Sequence, residues 1–142
     1  MSAYISDSLK ARIEQVDCQR CCYCLTSEAN SGIPMTFDHI QPRSKGGATS
    51  FENLCLACRT CNEYKSDSTE AKDPLTGEIV PLFHPRTQQW REHFNWSLDA
   101  TKVEGLTAIG RATVTTLRMN NPVIVSARYR WAISGWHPPE NF

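Results

Sequence analysis

Two Cys-x-x-Cys pairs, Cys21/Cys24 and Cys58/Cys61, bracket the acid–histidine dipeptide Asp38-His39, and Asn62 follows the last cysteine. A two-residue gap lets both sulfurs of a pair face one ion from a tight knuckle. Two knuckles supply four thiolates, a closed tetrahedral set that suits structural zinc because no position is left for water. Any fold of this chain must therefore bring residues near 22 and near 60 together. Cys22 competes with Cys21 and Cys24 on spacing alone. Cys18 and Cys55 fall outside it and read as buried small side chains. A redox dithiol would explain either pair but nothing between them.

At 142 residues the chain suits one compact domain, or a small domain with an addition, and a core of that size gains from a metal staple. Seven cysteines, an odd number clustered within Cys18–Cys61, favour metal ligation over a disulfide framework. The first ten residues lack a basic region followed by an apolar one, so a cytoplasmic setting is expected, and no apolar run is long enough for a membrane span. The formal charge is zero, but residues 86–142 carry seven Arg/Lys against four acids, so a local basic face is compatible with it.

Ile5, Leu9, Ile13 and Val16 form one apolar stripe of a helix over 4–16, capped by Ser6 or Asp7. Met35–Ile40 and Asn53–Leu56 read as two short strands joined by a Gly-rich loop, and Arg59–Ser66 as a helix opened by the second knuckle. That is a ββα unit clamped by zinc. Asp67–Gly77 is polar and turn-rich and reads as a surface boundary, with Ile79–Pro85 an extended strap. Thr87–Phe94 reads as a helix, and Phe94–Leu106 as two strands around a turn near Asp99. Thr107 can cap a helix to about Met119, with Ile109, Ala112, Thr116 and Leu117 on one face. Asn121-Pro122 can open a last helix ending near Gly135, although Val123–Val125 can equally start a strand. The expected fold class is α+β, with a core at 1–70 and an extension at 71–142 packed on it as one unit.

The bracketed residues suit phosphodiester hydrolysis. Attacking water must lose a proton, and the developing charge must be neutralised. Neutral imidazole is a competent base near pH 7, which gives His39 the first task. Asp38 and the carboxamide of Asn62 offer hard oxygens to a divalent cation such as Mg²⁺ or Mn²⁺. Asp38 points to the opposite side of the strand from His39, so it meets such a cation only at a kinked strand end.

In order, C-x-x-C, D-H-I, P-x-S-x-G-G, the Asn53-Leu54 pair and C-x-x-C-N-x-x-K resemble the HNH endonuclease family, a ββα-metal nuclease fold. The resemblance covers residues 21–65. It implies His39 as general base, Asp38 and Asn62 as ligands of the catalytic ion, and Asn53 as the residue that holds loop and base in place. It also implies Cys21, Cys24, Cys58 and Cys61 as the Zn²⁺ ligands and DNA as substrate. The last position of the family's name is a histidine and is Asn62 here, a common variant. Residues 79–139, with P-L-F-H-P-R, W-x-x-H-F, G-R-A-T-V and G-W-H-P-P, resemble the C-terminal extension of a bacterial, largely cyanobacterial, subgroup.

Arg43 and Lys45 in the Gly-rich loop, and Lys65 after the knuckle, are candidates for phosphate contact. Arg111 and Arg118 share a helix face and are candidates for a DNA-facing patch, joined by at most one of Arg128 and Arg130. His84, His93 and His137 stand singly and read as structural, and the four tryptophans read as packing for the C-terminal core. Two phosphate-reading loops carry little base specificity, so preference would come from the extension, a homodimer or a partner protein. The competing function is a zinc-stapled nucleic-acid-binding module without catalysis.

Overall fold

The computed structural model describes residues 4–142. It is an α+β fold of six short helices and three two-stranded antiparallel sheets among those residues. Helix α1 (Asp7–Val16) starts where the Ser6 hydroxyl accepts the Leu9 amide at 3.2 Å. Ile13 is fully buried and Ile5 and Leu9 pack beside it, but Val16, expected on the same stripe, is 52% exposed at the helix end. Asp17 closes the helix and turns its carboxylate inward, onto the Leu56 amide and the Arg86 guanidinium.

The first knuckle follows, then α2 (Glu28–Ser31), a single turn capped by Ser27. Strands β1 (Thr36–His39) and β2 (Leu54–Ala57) pair in the register Asp38↔Cys55 and His39↔Leu54. All four residues of β2 are buried, so this strand is the floor of the core. Helix α3 (Arg59–Lys65) is capped by Cys58, whose sulfur accepts the Cys61 amide. The ββα unit is therefore present, each element within one residue of the boundaries that the sequence suggests.

The stretch 67–77 is largely exposed, as its polar composition suggests, but it also holds a strand and one buried side chain. Glu70–Lys72 form β3, paired with β4 (Ile79–Pro81), and Asp73 is fully buried on Arg111. Helix α4 (Trp90–His93) is one turn, shorter than the pattern over 87–94 suggests, because the chain leaves it directly for β5 (Phe94–Trp96). Strand β5 pairs with β6 (Val103–Gly105) around a turn in which Asp99 holds Thr101. Helix α5 (Ala108–Thr116) is capped by Thr107, and its Gly110 lies so close to the His93 carbonyl that a Cβ there would clash at 2.0 Å. Helix α6 (Pro122–Ile133) has Asn121 as cap and Pro122 in its first turn, which decides against a strand at 123–125.

One cluster of buried side chains runs through both halves of the chain, from Ile13 through the knuckles and β2 to Met119. Its aromatic part stacks Phe83, Trp90, Phe94 and Trp96 at centroid distances of 5.1 to 5.5 Å. Of the tryptophans expected in this core, Trp131 is half-buried and Trp136 is 64% exposed. Cys55 is buried as expected, whereas Cys18 is exposed, because the chain turns out of α1 there with a left-handed φ of 56°. No helix among the described residues is long and apolar enough to cross a membrane.

Candidate metal centre and active-site face

The sulfurs of Cys21, Cys24, Cys58 and Cys61 all lie within 4.8 Å of one another. Zinc–sulfur bonds near 2.3 Å in a tetrahedron put sulfurs about 3.8 Å apart. The Cys24–Cys58 separation is 3.7 Å. Each knuckle also turns a backbone amide onto its own first sulfur, Cys24 N–H onto Cys21 at 3.5 Å and Cys61 N–H onto Cys58 at 3.4 Å. Burial, reinforced by the neighbouring thiols, pushes Cys21 well above the ordinary thiol range. Hydrogen bonds from Cys21 and Cys58 hold Cys24 well below it. Four thiolates in so small a volume need a cation, and the donor set suits zinc. Cys22 is not in the cluster.

His39 ends β1, and its half-buried imidazole faces the loop that leads to β2. Nε2 lies 2.9 Å from the Thr49 hydroxyl. Burial lowers the imidazole's pKa, and the charges of Arg43 and Lys65 act the same way against the opposing pull of Asp38. Cationic imidazole is thus disfavoured and the neutral form dominates at pH 7.

Asn53 staples the intervening loop. Its Oδ1 accepts the Gln41 amide at 2.8 Å, and its Nδ2 donates to the carbonyls of Gln41 at 3.0 Å and Ala48 at 2.7 Å. Gly46 caps the single helical turn Arg43–Lys45 with φ 85°, and a Cβ on Gly47 would fall 1.7 Å from the Gln41 oxygen. Both glycines of the motif are therefore required by the backbone path. The loop carries Arg43 and Lys45 outward, and both are exposed.

Asp38 faces the other side of β1 and is 4% exposed. The Tyr23 hydroxyl donates to Oδ2 at 2.8 Å, and Lys65 Nζ lies 3.3 Å from Oδ1 and 3.2 Å from Oδ2. Lys65 also donates to the His39 carbonyl at 3.1 Å. Burial raises the Asp38 pKa, opposed by Lys65 and Tyr23. Lys65, read from sequence as a phosphate contact, is 1% exposed and is instead an internal counter-ion. Asn62 lies three residues before Lys65 on α3, half-buried, and its helix packs on β1.

The basic face expected of Arg111 and Arg118 is not formed. Arg111 makes two bonds to Asp73, and Arg118 lies past the end of α5, its guanidinium over the Tyr64 ring at 4.6 Å. Arg128 is fully buried. The three single histidines are internal hydrogen-bonding residues: His84 Nδ1 accepts the Arg86 amide, His93 meets Thr107, and His137 meets the Ala100 carbonyl. Sequence reasoning overlooked Tyr23 and Thr49. Tyr23 sits inside the first knuckle, a place where a large aromatic side chain is itself a signal of burial against what lies beneath.

The family model described as HNH endonuclease matches residues 18–68, which hold both knuckles, β1, β2 and α3. No curated protein matches the chain.

Proposed function

We propose, from the match of residues 18–68 to the HNH endonuclease family model, that the protein hydrolyses DNA phosphodiester bonds, with His39 as general base. The observation that carries this is the imidazole itself: half-exposed, held in its neutral form, and fixed at Nε2 by Thr49. With Nε2–H donating to Thr49, Nδ1 keeps its lone pair and takes the proton of the attacking water. Asn53 acts as a positioning residue, since it ties Gln41 and Ala48 on either side of the loop that bears Thr49. Arg43 and Lys45 on the same loop bind the phosphates flanking the scissile bond.

The four cysteines hold a structural Zn²⁺ that ties α3 to the first knuckle. Asp38 and Asn62 are the proposed ligands of a second, catalytic divalent ion, Mg²⁺ or Mn²⁺, which supplies charge neutralisation at the phosphate and the leaving oxygen. Their hard oxygens fit such an ion in kind. Asp38 already holds the Lys65 ammonium, so it takes a divalent ion only by loosening that pair. The same pairing favours a second reading, a zinc-stapled module that binds nucleic acid without cutting it.

Plasmid nicking separates the two. Purified protein is incubated with supercoiled DNA and Mg²⁺ or Mn²⁺, with His39→Ala beside it. The expected result is open-circle or linear product that is lost by roughly 10²–10⁴-fold in the variant. Equal cutting by both proteins would remove His39 as base, and gel-shift binding with no cutting by either would support the binding module.

A further inference from the structure

Arg128 lies in α6, far along the chain from the last knuckle, yet its relative exposure is 0%. Arginine is rarely buried without an anion or a full set of acceptors. Its Nη1 has two acceptors, the Thr101 carbonyl at 3.0 Å and Asn120 Oδ1 at 3.1 Å, and both are neutral. No carboxylate pairs with it among the described residues. Nε and Nη2 are buried with no hydrogen-bond partner at all. Arg128 lines the same cavity as Cys24, Cys58 and Cys61, with Trp96 5.4 Å from its guanidinium carbon.

We propose that Arg128 is the buried counter-cation of the four-cysteine centre, which makes the C-terminal extension part of the metal site. Four thiolates around Zn²⁺ carry a net charge of −2, and a buried dianion is costly without a cation beside it. Arg128 supplies one positive charge from a helix outside the matched family segment. This explains a buried arginine with two unused donors, which packing alone does not. It rests on the zinc reading and is independent of whether the protein cuts DNA.

The test is equilibrium competition for zinc between the full-length protein and the chromophoric chelator 4-(2-pyridylazo)resorcinol. Wild type, Arg128→Met, Arg128→Lys and Asn120→Ala are compared. Arg128→Met should weaken zinc binding at least about tenfold, in the range found for outer partners of metal ligands. Arg128→Lys should restore most of the loss. Asn120→Ala removes a neutral acceptor of Arg128 and the clamp on Val103, so it should lower thermal stability while keeping zinc affinity. Wild-type affinity in a folded Arg128→Met protein would overturn the proposal. So would an Asn120→Ala loss as large as that of Arg128→Met, since that pattern means packing rather than charge. Should Arg128→Met not fold, Arg128→Gln, which keeps polar donors but not the charge, replaces it in the competition: it should lose zinc affinity as well, and wild-type affinity in it would refute the role. A wild-type chain that binds no zinc would overturn the zinc reading and this proposal together, whereas zinc-bound wild type with an indifferent Arg128→Met overturns this proposal alone.

Discussion

The hydroxyl of Thr49 stands 2.9 Å from Nε2 of His39, joining the tip of the Gly-rich loop to the end of β1. The preceding residue, Ala48, is held by Asn53, which is itself fixed on the Gln41 backbone. A chain of short contacts thus runs from a side chain just before β2 to the ring nitrogen of the proposed base. Thr49→Val keeps the shape and removes the acceptor. It should lower the cleavage rate about tenfold, by analogy with outer partners of functional imidazoles, and leave KM for DNA nearly unchanged. Nitrogen-15 NMR of His39 should show the neutral ring moving from predominantly Nε2–H to a mixture of tautomers. An unchanged tautomer ratio would mean that Thr49 only packs there.

Lys65 and Asp38 are a buried pair, with 2% and 5% side-chain exposure. Removing one partner of such a pair typically costs about 3–5 kcal/mol, because the other charge stays behind uncompensated. Lys65→Met should therefore lower the unfolding free energy by roughly that amount in urea titrations without divalent ions. Should Asp38 be a ligand of the catalytic ion, millimolar Mn²⁺ should recover much of the loss in the variant and add little in wild type. A variant as stable as wild type would mean that Asp38 is neutralised by protonation. A Mn²⁺-insensitive loss would remove Asp38 from the metal site.

The cysteine knuckles were legible because their geometry is local: two residues between cysteines determine how the pair of sulfurs is presented wherever the chain goes. The caps at Ser6, Thr107 and Asn121 were legible for the same reason, each side chain bonding an amide three residues on. Lys65 was misread because its helix position says only that it shares a face with Asn62, and which face packs on β1 is decided by tertiary contact. Asp73 looked like a loop residue in a polar run, and the partner that buries it is 38 residues away. Arg128 reads as an ordinary exposed position in a helix whose apolar residues Val123 and Ile133 are themselves exposed, so periodicity carries no sign of its burial.

Cys58 is both the cap of α3 and one corner of the sulfur cluster. Serine can still cap, but it is a poor zinc ligand. Cys58→Ser should therefore keep the helix start while weakening the metal, and because metal binding is coupled to folding it should lower Tm and soluble yield along with any cleavage. Metal analysis by mass spectrometry should find one zinc per wild-type chain and much less in the variant. A stable, fully soluble Cys58→Ser protein lacking zinc would show that the centre is dispensable for the fold.

The pairing of Asp73 with Arg111 gives the extension a pH-dependent element of its own. Hydrogen bonds from Arg111, joined by the Leu75 amide and Thr76, hold the Asp73 carboxyl well below its ordinary value of 3.8. A carboxylate whose pKa is lower in the folded state stabilises the fold above the unfolded pKa, and that contribution fades as pH falls from there toward the folded value. Asp73→Asn keeps the size and loses the charge. Its stability deficit against wild type should be constant from pH 7 down to about pH 5, then shrink through pH 4 and below as the unfolded carboxylate takes up its proton. Urea unfolding across that range, read by the fluorescence of Trp90 and Trp96 in the adjoining core, measures the difference directly. A deficit that does not narrow below pH 4 would mean that Asp73 acts through its turn hydrogen bonds alone, with its charge on Arg111 contributing nothing to stability.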